Sequence, residues 1–191
     1  MLGIYIHFPY CIHKCFYCDF YSIEDSSTID VFCNSLLKEI GMASQYFFRL
    51  PQEIDTIYFG GGTPSLINCE YLEKILNKIL KFYKIADNVE ITLEANPGTI
   101  DQKYLADYKS LGINRLSIGV QSFLDSELHF LQRIHNANES IETFELARKI
   151  GFDNISIDLI YNLPNQTTNN LEYNFKKAIE LSPEHISAYS L

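Results

Sequence analysis

Short apolar runs rich in β-branched residues alternate along this chain with stretches of helical periodicity. The runs lie at residues 3–8, 56–59, 90–94, 115–120, 156–160 and 185–190. β-Branched side chains favour strands, and strands that alternate with helices indicate a parallel sheet or barrel with the helices outside it. The alternation therefore predicts an α/β fold built on six strands.

The stretches between these runs carry apolar residues at the spacing of an amphipathic helix. The clearest stripe contains Ile29, Phe32, Cys33, Leu36, Leu37 and Ile40, and a second contains Leu72, Ile75, Leu76, Ile79 and Leu80. Weaker stripes contain Ile141 and Phe144, and then Leu171, Phe175 and Ile179. We expect each stripe to pack against the sheet.

Length and composition indicate one globular domain. The 191 residues are too few for two ordinary domains, and 47% of them are hydrophobic. Fifteen basic against 24 acidic residues give a net charge of −9, which disfavours nucleic acid or an anionic membrane as a partner. Because no apolar run could span a bilayer and no secretory signal is present, we expect a cytoplasmic protein.

Three of the five cysteines, Cys11, Cys15 and Cys18, form a CxxxCxxC pattern. Buried core thiols do not cluster in such an aromatic-rich loop. Structural zinc is the competing interpretation, but it needs four ligands and only His7 or His13 lies nearby. A CxxC redox pair would leave one thiol unused. A 4Fe–4S cluster fits best, since three thiolates hold three corners and leave one iron open to a ligand.

A glycine-rich segment, YFGGGTPSL, follows the second apolar run. Glycines 60–62 allow the backbone to approach a ligand closely, and we expect their N–H groups to be exposed. The segment is not a dinucleotide fingerprint, because GxGxxG is absent. Taken alone, it is equally consistent with an ordinary turn between a strand and a helix.

Polar residues stand at or near the ends of three predicted strands. Glu94 ends the third, Gln121 follows the fourth, and Asp158 lies inside the fifth. In βα-barrels the carboxyl ends of strands carry ligand contacts, although each residue could also cap a helix. Arg133 could bind a carboxylate through its planar guanidinium or lie on a helix surface.

Taken in order, these motifs resemble the radical S-adenosylmethionine (SAM) superfamily. The resemblance implies a partial (β/α)6 barrel of the TIM type, a 4Fe–4S cluster on Cys11, Cys15 and Cys18, and SAM bound at the open iron. In this family the reduced cluster cleaves SAM to a radical that abstracts hydrogen from a substrate. The implied SAM contacts are Tyr5, Tyr17, Gly61, Gly62, Thr63, Glu94, Gln121, Arg133 and Asp158. Cys33 and Cys69 match no ligand position.

The segments LEANPGT, RLSIGVQSF, LQRIHN and IDLIYNLPNQT resemble the coproporphyrinogen III oxidase-like branch of that superfamily. This branch contains oxygen-independent coproporphyrinogen III oxidases and heme chaperones of the HemW type. The oxidases carry a further cysteine two residues after the third ligand, where this chain has Phe20, as the chaperones do. The resemblance therefore favours a heme chaperone, with an oxidase and a zinc-stabilised binding module as alternatives, and leaves catalysis open.

The resemblance also implies partners and domain boundaries. Expected partners are heme or a porphyrinogen, a low-potential electron donor and a heme-receiving respiratory protein. Residues 1–191 would form the radical SAM core domain, truncated after the sixth strand and without the C-terminal domain of the family. Because no helix covers the last strand, we expect an exposed edge and a tendency to associate.

Overall fold

The computed structural model describes residues 2–47 and 53–191, in which β-strands and α-helices alternate. The strands are β1 (Gly3–Phe8), β2 (Ile54–Gly61), β3 (Ile85–Ala95), β4 (Arg115–Gln121), β5 (Ile155–Tyr161) and β6 (His185–Ser190). The helices are α1 (Ile29–Phe47), α2 (Cys69–Phe82), α3 (Gln102–Ser110), α4 (Asp125–Phe130), α5 (Ala137–Ile150) and α6 (Thr168–Glu180). Every predicted strand is confirmed; β2 and β3 extend several residues beyond their predicted bounds, and β4 and β5 extend by one residue at one or both ends.

The six strands form one sheet in the order β1-β2-β3-β4-β5-β6, and all neighbours are parallel. Each crossover thus moves to the adjacent strand in one direction, as in a barrel and unlike a doubly wound sheet. No pairing joins β1 to β6 among the described residues. The predicted α/β partial barrel is confirmed.

The two faces of the sheet differ in polarity. The outer face packs Ile57, Leu93, Leu116 and Ile157 against α-helices in a single large core. Apart from Ile160, the inner face of β2 to β5 carries polar or small residues instead. They are Tyr58, Gly60, Thr92, Glu94, Arg115, Ser117, Gly119, Gln121, Ser156 and Asp158. Because a closed barrel fills its interior with bulky branched side chains, this polar face is suited to a ligand rather than to a packed core.

Two helices were not predicted, and two predicted core positions are exposed. Helix α3 buries only Leu105 and Tyr108, and α4 has six residues, so neither shows a clear apolar stripe. Leu80 and Ile179 are 53% and 64% exposed, respectively, because neighbouring residues of α2 and α6 face the core. No helix in the described part of the chain combines the length and apolarity that crossing a bilayer requires.

Candidate functional site

A cavity of about 570 Å³ opens at the carboxyl ends of the strands. It brings together eight of the predicted site residues from the cysteine loop and from β2 to β5. They are Tyr17, Cys18, Gly61, Gly62, Glu94, Gln121, Arg133 and Asp158. Cys15 and Thr63 line a small adjoining cavity that Arg133 also borders. The strand ends therefore converge with the cysteine loop, as the sequence predicted.

Tyr5 lies outside this cavity. It borders a separate groove at the edge strand β1, where it is 58% exposed. Its ring stacks on Tyr58, with 6.0 Å between centroids, and its hydroxyl bonds His7 Nδ1 at 3.1 Å. Since Tyr58 in turn donates to Glu94, Tyr5 reaches the cavity only through a second ring.

The cysteine loop is closed at its base by backbone hydrogen bonds. Cys11 N donates to Ile23 O at 3.0 Å, and Ile23 N donates to Pro9 O at 2.7 Å. Within the loop, Cys18 N donates to Cys15 O at 3.0 Å, which forms a turn between the last two cysteines. All three thiols are free, with Cys15 buried and the other two half-buried. The loop is thus a fixed element on which three thiolates are available.

The glycine segment holds the cysteine loop in place. Gly62 N donates to Phe8 O and Thr63 N to Tyr10 O, both at 2.7 Å, and Gly61 N donates to Glu94 Oε2 at 3.1 Å. The expectation of exposed N–H groups is therefore wrong for Gly61 and Gly62, because both amides are engaged within the chain. These glycines instead allow the end of β2 to pack closely against the backbone that follows β1.

Two half-buried carboxylates border the cavity. Glu94 accepts from the Tyr58 hydroxyl at 2.7 Å, and Asp158 accepts from Ser117 Oγ at 3.0 Å. Burial raises the pKa of both carboxyl groups above their ordinary values, and these hydrogen bonds oppose the rise. The charge of Asp158 raises the pKa of Glu94 further. A cationic group of a ligand would favour the ionised form of both.

Arg133 joins the cysteine loop to the sheet. Its Nη2 donates to Asn96 Oδ1 and to Gly119 O, the latter at 3.1 Å, and its Nη1 lies 3.9 Å from Cys15 Sγ. In the described residues, Nε is buried without a partner. A buried donor left free is costly, and Arg133 also lines the cavity, where its planar guanidinium is suited to a carboxylate group of a ligand.

Tyr17 forms one wall of the cavity. Its ring packs on a small apolar cluster of Leu131, Ile160 and Leu163. Burial raises the pKa of the Tyr17 phenol to about 12, although the nearby Arg133 guanidinium opposes the rise. The phenol therefore stays protonated at neutral pH and offers an aromatic face and one O–H group.

Gln121 has left-handed backbone geometry, with φ of 67°, at the end of β4. For a residue other than glycine this conformation is strained, and such strain is characteristic of functional sites. The next residue, Ser122, is fully buried and donates through Oγ to Glu127 at 2.6 Å. Gln121 itself lines the cavity.

Sequence reasoning missed a buried network behind Gln121. Glu127 accepts from Ser122 Oγ, from Asn174 Nδ2 at 2.7 Å and from Gln166 Nε2 at 3.1 Å. It thereby ties the end of β4 to the loop after β5 and to α6. The motif IDLIYNLPNQT contains Gln166, but only packing reveals its partner 39 residues away.

The donor set fits an iron–sulfur cluster better than a single ion. Among the residues that the structure describes, no three His, Cys, Asp or Glu side chains converge on one possible ion position. A cubane does not require this, because each thiolate binds a different iron. Three free thiols on one closed loop beside a cavity with an unpaired guanidinium donor fit a cluster with a chelating ligand.

Comparisons with known proteins agree with this chemistry. The model of the Radical SAM superfamily matches residues 5–178. The chain is 43% identical to the heme chaperone HemW of Haemophilus influenzae and 40% identical to that of Bacillus subtilis, each over 100% of the chain. It superimposes on the coproporphyrinogen III oxidase HemN of Escherichia coli, a radical SAM enzyme, with a TM-score of 0.90 and 28% identity over 99% of the chain.

These relatives are longer than the chain. The alignments cover 51% and 50% of the two HemW proteins and 44% of the HemN chain. The chain therefore spans about half the length of the curated relatives it matches.

Proposed function

The chain belongs to the Radical SAM superfamily, and from that premise we propose that residues 1–191 are the radical SAM core of a heme chaperone of the HemW kind. Membership of the superfamily implies a 4Fe–4S cluster and SAM. The identity of 43% to one heme chaperone and 40% to another supports the choice of branch. We assign the chain to the cytoplasm.

Cys11, Cys15 and Cys18 are the proposed cluster ligands. They are free thiols on one closed loop, and a cubane held by three thiolates keeps one iron open for SAM. When both groups are bound, they supply one-electron reduction and hydrogen abstraction. The protein contributes binding, orientation and electrostatics around that chemistry.

The proposed SAM contacts are divided by charge. Glu94 and Asp158 suit the cationic amino and sulfonium groups, since both carboxyl groups border the cavity and a cation beside them would favour their ionised form. Arg133 suits the carboxylate through its unpaired donor, and Tyr17 suits the adenine. The full proposed set is Tyr5, Tyr17, Gly61, Gly62, Thr63, Glu94, Gln121, Arg133 and Asp158. Tyr5 would act through the Tyr58 ring rather than by direct contact.

The observation that carries the choice between chaperone and oxidase is Phe20. Its side chain is 67% exposed and lines the cavity two residues after Cys18. A benzyl group packs but transfers neither a proton nor a hydrogen atom, whereas a thiol at this position does both. The chain therefore binds a porphyrin without decarboxylating it. Heme, a low-potential electron donor and a heme-receiving respiratory protein are the proposed partners.

An anaerobic assay tests this function. The chain is loaded with iron and sulfide, supplied with SAM and dithionite, and given either hemin or coproporphyrinogen III. We expect no protoporphyrinogen IX to form, and we expect hemin to bind, as judged by its absorption spectrum, when the chain is extended by the C-terminal domain of the family. The Phe20→Cys variant and Escherichia coli HemN serve as the matched variant and the positive control for decarboxylation.

The outcomes are distinct. Loss of two carboxylates from the porphyrinogen at a rate comparable with that of HemN would favour the oxidase. An extended chain that loads its cluster but neither binds hemin nor decarboxylates would contradict the heme assignment. A colourless chain that retains zinc and no iron would favour the zinc-stabilised binding module.

A further inference from the structure

Asn96 connects hydrogen-bond donors that reach two of the three loop thiols. Its Oδ1 accepts from Arg133 Nη2, and its Nδ2 donates to Thr63 Oγ1 at 3.1 Å. Arg133 Nη1 lies 3.9 Å from Cys15 Sγ, and Thr63 Oγ1 donates to Cys11 Sγ at 3.6 Å. The amide of Asn96 thus hydrogen-bonds to both of the groups that contact cysteine sulfur atoms, Arg133 and Thr63.

The orientation of the amide follows from its partners. A guanidinium has donors only, so the atom of Asn96 that faces Arg133 must be the carbonyl oxygen. The amide nitrogen then faces Thr63 and donates to its hydroxyl oxygen. Since a hydroxyl carries a single hydrogen, this arrangement leaves the hydrogen of Thr63 free to be donated to Cys11.

The backbone of Asn96 is held rigidly. It begins the turn Asn96-Pro97-Gly98-Thr99, in which Thr99 N donates to Asn96 O at 3.1 Å and Gly98 has φ of 81°. Thr99 Oγ1 donates to the same carbonyl oxygen at 2.7 Å. Opposite the side chain, a Cβ on Gly119 would lie 2.7 Å from Asn96 Oδ1, so glycine is required there for space.

We propose that Asn96 is a positioning residue that sets the reduction potential and retention of the cluster by holding Thr63 and Arg133 against Cys11 and Cys15. Hydrogen bonds to cluster sulfurs stabilise the more negative, reduced state and so raise its potential. Residues that hydrogen-bond to metal ligands also affect the affinity of the protein for the metal, commonly by about 10- to 100-fold. The inference rests on the proposed function, because it requires the loop thiols to bind a cluster.

The test is a double-mutant cycle on the anaerobically loaded chain. The variants are Asn96→Ala, Thr63→Val and the double variant, read by EPR-monitored redox titration and by iron retention against a chelator. We expect Asn96→Ala to lower the cluster potential by about 59 mV, which corresponds to a tenfold change for a one-electron couple. Thr63→Val should lower the potential less, because it removes only the hydrogen bond to Cys11. The double variant should have the same potential as Asn96→Ala, because both residues act on that bond.

Asn114→Ala is the matched control. Asn114 also bridges β3 and β4, through bonds of 2.8 Å to Ile91 N and Val89 O, but it lies away from the loop thiols. It should lower the free energy of unfolding and leave the potential unchanged. Strictly additive shifts, or an unchanged potential in Asn96→Ala, would overturn the inference. A wild-type chain without an EPR-active cluster would instead refute the proposed function.

Discussion

Replacing Gly62 by alanine should detach the cysteine loop from the sheet. A Cβ at this position would lie 2.6 Å from Tyr10 O and 3.0 Å from Cys11 Sγ. The nearer neighbour is backbone, which cannot rotate away as a flexible side chain would. Relief of the clash therefore requires the loop itself to move away from the end of β2.

The cost follows from what the movement breaks. The bonds from Gly62 N to Phe8 O and from Thr63 N to Tyr10 O are both 2.7 Å long and both join these segments. Each of the two backbone hydrogen bonds contributes about 1 kcal/mol net, and overpacking costs about 1–3 kcal/mol, so Gly62→Ala should lower the free energy of unfolding by about 3–5 kcal/mol. The displaced loop should also bind less iron.

Urea unfolding of the iron-free chain and iron content after anaerobic reconstitution measure the two effects. Gly41→Ala is the matched control, because its Cβ would lie no closer than 3.4 Å to any side chain of α2, namely Lys78 and Phe82, which are ordinary contacts between α1 and α2. It should raise the free energy of unfolding by about 0.5–1 kcal/mol and leave iron binding unchanged. A Gly62→Ala chain with normal stability and full iron content would refute the reasoning.

The remaining predictions concern the thiols, a carboxylate and the buried network. Serine at any one of the three loop cysteines should remove most of the iron, whereas Cys33→Ser and Cys69→Ser should not, as measured by iron per folded chain. Folding raises the pKa of the Glu94 carboxyl group. The stability that this shift contributes is present in full at a pH below the pKa of the group in the unfolded chain, and it is lost as the pH rises through the pKa in the folded chain. Glu94→Gln should remove that pH dependence in unfolding curves, and an unchanged profile would contradict it. Glu127→Ala should cost about 1–3 kcal/mol in urea unfolding, since it leaves buried donors unpaired.

The sequence was sufficient for those parts of the fold that depend on local pattern. Each strand carries a β-branched run, and α1 and α2 carry continuous apolar stripes, so their existence follows from periodicity. Helix α4 is too short for a stripe, and α3 buries only two residues, so neither leaves a periodic signal. Length and strength of pattern decide which elements can be predicted.

The candidate site divides in the same way. Glu94, Gln121 and Asp158 were predicted from the family resemblance, which their positions in or at the end of parallel strands supported. Asn96 and Glu127 were missed because their roles depend on partners that are distant in sequence: Thr63 lies 33 residues from Asn96, and Asn174 lies 47 residues from Glu127. The engaged amides of Gly61 and Gly62 were misjudged for the same reason. No local pattern distinguishes a glycine that faces a ligand from one that faces another backbone segment.

The positions that join the cysteine loop to the barrel carry much of the site's specificity. The loop supplies three thiols, but its placement depends on Gly62 N and Thr63 N at the end of β2. The contacts of Thr63 and Arg133 with two of these thiols depend on Asn96, which follows β3. Asn96 in turn has space only because residue 119 in β4 is glycine. Three consecutive strands therefore have to be assembled before the thiols are fixed. Cluster binding is for this reason a property of the folded sheet and not of the CxxxCxxC segment alone, and it should stabilise the folded chain by linkage.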